Sequence, residues 1–301
     1  MPLDQLKAMP SAELMHKINY ENISLLKSLG AEKMRREMLP IGFVCRFLVN
    51  WACICKDDSK LKTRVCRILG SVAPFKLLRE FPRFEGAVVS GFNHPSLGEL
   101  FRLVYLGLHT YPDREFLFPV NLPWYESLTP AIPKLERIGI TIVPMITPSS
   151  EKKLRTMFEG NEEMLGYVQH FKVLLERRYM RAAREAAARK EVIFLAPSAT
   201  RQATVFETPE AARGEGHIHP TMTILAHMLL KDPDADVSFL PVTVFEPKRG
   251  DRKLNLFKIY KIYPCDAFSA AEARELAEGQ SRSFDYLFLK RIDEQYNSVV
   301  K

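Results

Sequence analysis

Residues 88–108 read VVSGFNHPSLGELFRLVYLGL. The run from Val88 to Phe92 is apolar and opens on two β-branched valines, which suits a pleated, buried strand. Asn93 and His94 follow. Pro95 then occupies the place proline prefers, the first turn of a helix, where its missing N–H would find no partner anyway. The predicted helix runs to about Leu108. A strand feeding directly into a helix is the building unit of proteins organised around a central sheet.

The same alternation extends downstream. Short runs rich in Val, Ile and Phe predict strands at 87–92, 116–120, 140–146, 191–196, 237–244 and 254–263. The last alternates apolar with polar residues and is expected at a sheet edge with one wet face. A helix is predicted over about 151–190, ending in a stretch whose Ala, Arg and Glu content favours helix, and another over 220–231. A closing helical region starts near Ser269, where Ser-Ala-Ala-Glu reads as a capping box with Glu272 at the third helical position. Upstream, residues 1 to about 85 read as helical throughout, with prolines at 10, 40, 74 and 82 marking breaks. The expected fold is therefore α/β, with α+β as the alternative: a central mixed sheet flanked by helices. Three regions follow: an N-terminal helical, membrane-associating region (1–85), a central domain (86–265) and a C-terminal helical extension (266–301).

Composition bounds the function. The formal charge is +7, and most of the excess precedes residue 86, which points to an anionic partner on the N-terminal side. The basic residues are not interleaved with exposed aromatics and no nucleic-acid-binding motif is present, so no nucleic-acid role is expected. Five cysteines (Cys45, Cys53, Cys55, Cys66, Cys265) form neither a metal-ligand spacing nor a disulfide framework, which fits a reducing, cytoplasmic setting with thiols serving as small hydrophobes. The start, MPLDQLKAMPSAEL, lacks the apolar core of a signal peptide. The longest apolar stretch, Leu39 to Cys55, carries Arg46 and Asn50, costly at bilayer depth, and is expected as a buried or interfacial helix. His217 and His219 lie two apart in GEGHIHP but lack a set of further ligands, so no metal site is expected there.

His94 is the residue with the most chemical promise. A helix N-terminus disfavours the imidazolium, so a histidine on the loop before it tends to stay neutral and able to accept a proton. Glu99, five residues on, can accept Nδ1–H from a histidine folded back over the first turn, leaving Nε2 free as a base. The same residues also read as a polar helix cap, with Asn93 or His94 capping and Glu99 solvated.

Asn93-His94-Pro95-Ser96-Leu97-Gly98-Glu99 resembles the first motif of the glycerolipid acyltransferase superfamily: a histidine, four residues and an acid, the acid more often being Asp. Three further blocks resemble the family's in order. Leu135–Val143 matches a segment in which a glycine, here Gly139, precedes a strand ending in arginine, where this chain has Met145. Ala196-Pro197-Ser198-Ala199-Thr200-Arg201-Gln202 matches a third block, with Ser198 and Ala199 replacing Glu and Gly. Phe239–Val244 matches a strand with Pro-Val.

The resemblance implies an O-acyltransferase of phospholipid biosynthesis. His94 would be the general base and Glu99 its orienting partner, with Asn93, Ser96, Gly139, Ser198, Thr200 and Arg201 as substrate-binding candidates. It implies no cofactor beyond the acyl donor, a coenzyme A or acyl carrier protein thioester, together with a lipid acceptor. An anionic membrane surface completes the set of partners, so the chain is expected to lie peripherally on the inner face of a membrane. Arg201 also reads as one half of a structural ion pair. Met145 and Ser198 depart from the family pattern and leave open two other readings: an acceptor other than a glycerol phosphate, such as a sugar or amino lipid, or a weakly active lipid- or carrier-binding relative.

Overall fold

The computed structural model describes residues 58–93, 99–121, 125, 128, 132–157, 159–160, 162–197, 220–246, 257–279 and 283–300. Seven strands form one sheet: β1 (Phe75–Leu77), β2 (Ala87–Phe92), β3 (Phe116–Asn121), β4 (Ile140–Met145), β5 (Val192–Leu195), β6 (Val237–Phe245) and β7 (Tyr260–Pro264). Among the described residues the helices are α1 (Asp58–Val72), α2 (Glu99–Thr110), α3 (Ile132–Glu136), α4 (Pro148–Met157), α5 (Glu162–Ala188), α6 (Thr221–Leu229), α7 (Ala270–Glu278) and α8 (Ser283–Val300). The fold is the expected α/β arrangement, a mixed sheet between helical layers.

The strand order is β1-β7-β6-β2-β5-β3-β4. All neighbours run parallel except the β6–β7 pair. From β2 the chain steps outward through α2 to β3 and α3 to β4, then reverses, returning through α5 to β5 and α6 to β6. Crossovers between parallel strands are right-handed, so reversing the direction of travel puts the returning helices on the opposite face. The core divides accordingly. On one face α1 and α2 pack against Val88, Phe92, Phe116, Phe118, Phe194 and Leu240. On the other, α5, α6, α7 and α8 pack against Ala87, Val89, Ile193, Leu195 and Phe239. Strand β2 is buried along its whole length, which explains why its sequence is a nearly continuous apolar run rather than an alternating one.

Helix α2 lies close to the sheet because of Gly107. A Cβ there would stand 2.7 Å from the Phe116 ring. Helix α7 begins with the predicted capping box: Ser269 Oγ accepts from Glu272 N at 3.3 Å, and Ser269 N donates to Glu272 Oε2 at 2.7 Å. Cys66 and Cys265 are free thiols. Burial raises the pKa of both, that of Cys265 to about 11, in keeping with thiols that pack rather than react.

Three expectations need correction. Residues up to 85 are not helical throughout, because Phe75–Leu77 pairs with β7 and closes the sheet edge. Of the alternating segment predicted at an edge over 254–263, the described part begins at Phe257 and is strand from Tyr260, flanked on both sides, by β1 and β6. Its alternation comes from Lys261, which is exposed between buried Tyr260 and Ile262. The helix predicted over 151–190 is two helices, with a turn at Gly160 in the left-handed region (φ 83°) between them. Residues 1–57, including Leu39 to Cys55, and the His217–His219 pair lie outside the described residues.

Candidate functional site

Of the four sequence blocks singled out above, one lies within a strand and two begin directly after the next two strands of the sheet. β2 lies between β6, which carries Phe239–Val244, and β5, which leads into Ala196 and Pro197. These strands are parallel, so their C-terminal ends share one edge of the sheet. In open α/β sheets such an edge is where ligands bind. Strand β4, ending at Met145, runs parallel to them two places beyond β5.

Asn93 follows β2 at this edge and is fully buried. Its Nδ2 donates to Val244 O at 2.9 Å, and its Oδ1 accepts from Val244 N at 2.7 Å. The amide thus extends the pairing of β2 with β6 by one side-chain rung. That fixes the point from which residues 94–98 depart. Asn93 occupies a holding position here, with both ends of its amide engaged by the backbone.

Glu99 opens α2. His94, Ser96, Ser198, Thr200 and Arg201 lie outside the described residues. Gly139 is not brought to this edge. It sits at the start of β4, about 20 Å from the far end of a six-residue strand. Its φ of +79° and the bond from its N to Glu136 O at 2.9 Å make it the left-handed residue of the turn into β4. A glycine is needed there for backbone reasons alone. Met145, at the position where the resemblance calls for arginine, is half-buried and packs against the apolar cluster beneath α5 and α6.

A cavity of about 80 Å³ opens beside the start of α2. Its walls are wholly apolar: Val65, Ile68 and Leu69 from α1, Leu100, Phe101 and Val104 from α2, Phe118 and Val120 from β3, Ile140 and Ile142 from β4, with Leu128, Leu135 and Ile138. The first turns of α2 therefore face this cavity directly after the segment that carries the candidate base.

Arg102 was not anticipated. It is fully buried in that same first turn. Its Nε donates to Pro74 O at 3.1 Å and Nη2 to Lys258 O at 2.7 Å, while the guanidinium lies 3.8 Å from the Tyr260 ring centre. It therefore bolts the start of α2 to β1 and β7. A single arginine in the otherwise apolar run LFRLVYLGL was the available signal. Buried charge of this kind persists only when its donors are satisfied.

Among the described residues there is no cluster of groups able to hold a metal ion, and no helix is long and apolar enough to cross a membrane. No family model matches the chain. No curated protein matches it either. Among solved structures, the chain is similar to the crystal structure of the 1-acyl-sn-glycerophosphate (LPA) acyltransferase PlsC from Thermotoga maritima. The two have 12% sequence identity and a TM-score of 0.44, over 89% of this chain and 97% of that one.

Proposed function

We propose that this protein is an acyltransferase that moves a fatty acyl group from a thioester donor to a lipid hydroxyl, with His94 as general base and Glu99 as its orienting partner. The observation that carries this reading is the apolar cavity against the first turns of α2, directly beyond a His-x4-Glu sequence. A base a few residues before the wall of an apolar pocket suits a substrate with a reactive carbonyl at one end and a hydrocarbon chain at the other. At about 80 Å³ the cavity is smaller than the roughly 150 Å³ engineered cavity that takes benzene. It receives a segment of a chain.

In this mechanism Nε2 of neutral His94 takes the proton of the acceptor hydroxyl as its oxygen attacks the thioester carbonyl. The carbonyl oxygen becomes an anion in the tetrahedral intermediate, and free backbone N–H groups at the helix start are suited to receive it. Collapse expels the thiolate, which is reprotonated by the imidazolium, so the base is restored within one turnover and no acyl-enzyme forms. Ser96, Ser198, Thr200 and Arg201 are the proposed substrate contacts, Arg201 through a bidentate fork to an anionic group. The donor is acyl-coenzyme A or acyl carrier protein.

The nature of the acceptor admits a second reading. Met145 packs into an apolar cluster where the resemblance would have an arginine for phosphate. An acceptor without a phosphate at that position, a sugar or amino lipid, is consistent with this packing.

The test is free-thiol release and product formation from acyl-coenzyme A or acyl carrier protein with a panel of lipid acceptors. His94→Ala is expected to abolish transfer in a folded protein. Glu99→Gln should cost less, because the amide still accepts a hydrogen bond but no longer stabilises the imidazolium. Arg201→Ala is expected mainly to raise KM for the anionic substrate. Wild-type turnover by folded His94→Ala would overturn the assignment.

A further inference from the structure

Two fully buried polar side chains, Asn93 and Arg102, bracket the stretch of sequence that carries His94 and Glu99. Their partners are far apart along the chain and close together in the sheet. Asn93 engages both backbone polar groups of Val244, near the end of β6. Val244 pairs with Ile262 of β7. Tyr260, whose ring faces the Arg102 guanidinium, is two residues from Ile262, about 7 Å along the strand. The carbonyls that Arg102 engages belong to Lys258, two residues before Tyr260, and to Pro74, just before the β1 partner of Tyr260, Phe75. Pro74 O also accepts from Tyr260 N at 3.3 Å. Because β1 and β7 run antiparallel to β6, their starts share an edge with its end. The end of β2 and the first turns of α2 are thus tied to one corner of the sheet, built by β1, β6 and β7.

Apolar packing alone does not set such a position. Phe101, Leu103, Leu106 and Leu108 hold α2 against the sheet, but hydrophobic burial is non-directional and leaves the helix free to shift along its axis. A guanidinium is different, because its planar fork fixes the direction of each donor. The Asn93 amide does the same with one donor and one acceptor. A fully satisfied buried network makes rigid what it joins. Position matters here, since a reacting group misplaced by about 1 Å can lose on the order of a hundredfold in rate.

We infer that Asn93 and Arg102 are paired positioning residues: they clasp both ends of the stretch that bears the base and its partner to the β1–β6–β7 corner. Pro74 and residues 258–262 then help to set the geometry of the site without belonging to it. The kinetic consequence rests on the acyl-transfer reading above.

The test compares Arg102→Met, Arg102→Lys and Asn93→Ser with a control, Arg114→Met. Arg114 also donates to backbone carbonyls, those of Phe84, Glu85 and Gly86, but it precedes β3, at the opposite edge of the sheet. In acyl transfer the three clasp variants should lose about tenfold to a hundredfold in kcat, with each KM within about threefold of wild type. Arg102→Lys should be as slow as Arg102→Met, because an ammonium keeps the charge but not the fork. Arg114→Met is expected to lower the melting temperature and to keep the wild-type kcat. Hydrogen exchange at residues 94–98 needs no turnover: it should quicken in all three clasp variants and match wild type in Arg114→Met. Arg102→Lys, the mildest change, carries both measurements if Arg102→Met does not fold. Wild-type kcat in Arg102→Lys would overturn the proposal, as would a kcat that follows melting temperature across all four variants. If the wild type transfers no acyl group, the acyl-transfer reading fails alone and exchange decides the clasp, which unchanged exchange at residues 94–98 in Arg102→Lys and Asn93→Ser would overturn.

Discussion

At the residue scale, the informative side chain is Asn93. Read from sequence, it was a substrate contact or a helix cap; in the structure its amide is bound to both polar groups of Val244. The sequence could place it at the end of a strand but could not say which strand lies alongside, and that neighbour determines what its amide does. Asn93→Ala leaves a buried N–H and a buried C=O unpaired. The expected loss is about 2–6 kcal/mol, two unsatisfied groups at the usual cost, measured as a lower urea midpoint with unchanged slope. Tyr179 gives the opposite case: its hydroxyl is buried without a hydrogen-bond partner among the described residues, and burial raises its pKa. Tyr179→Phe removes an unpaired polar atom and should leave the melting temperature unchanged or raise it.

Among the elements, α6 shows how a helix start can be satisfied from a distance. Asp285, on α8, accepts from Met222 N at 2.7 Å and Thr223 N at 3.0 Å, and from the Thr223 hydroxyl. Asp285→Ala is expected to cost about 1–3 kcal/mol. Burial raises the Asp285 pKa, outweighing the bonds from Thr223 and Met222 that lower it. A raised carboxyl pKa contributes stability that is fully present below the unfolded value of about 4 and is lost as pH rises through the folded value. The penalty of Asp285→Ala should therefore be greater near pH 3 than at neutral pH, as measured by denaturant titrations at both. Nothing near Thr221 in the chain announces this cap, because its partner is supplied by another helix. Local signals were legible wherever both partners are local. The Ser269–Glu272 box was predicted as found, and the strand 87–92 is followed by a helix, described from Glu99 to Thr110, while the predicted start at Pro95 lies outside the described residues. The edge position of β1 was not predicted, because three residues, Phe75 to Leu77, carry too short a pattern to distinguish a strand from helix. The break at Gly160 was missed because strong helix formers on either side mask a single glycine.

For the molecule as a whole, the two apolar layers are unequal in one respect: the layer under α1 and α2 contains the cavity. Val104→Leu adds a methylene to its wall. Cavity filling of this kind adds up to about 1 kcal/mol of stability, and under the proposed function it should shorten the longest acyl chain accepted. Melting curves and a series of saturated thioester donors measure the two effects. Longer melting life without a changed chain-length profile would separate the cavity from the chemistry. The general α/β layout could be read from alternating strand and helix patterns, whereas the cavity could not, since it is built from side chains on α1, α2, β3 and β4 that sequence does not juxtapose.

Phe75 pairs with Tyr260, so the first strand of the sheet is held by the last. On a ribosome adding about 5–20 residues per second, on the order of 10–40 s pass between the synthesis of the two. During that interval β1 has no strand to pair with, and the inward side of α1 has only part of its packing surface available. The nascent N-terminal segment is therefore a natural client for a chaperone, or for whatever surface first shields the apolar face of α1, and final closure of the sheet waits on the C-terminal quarter of the chain.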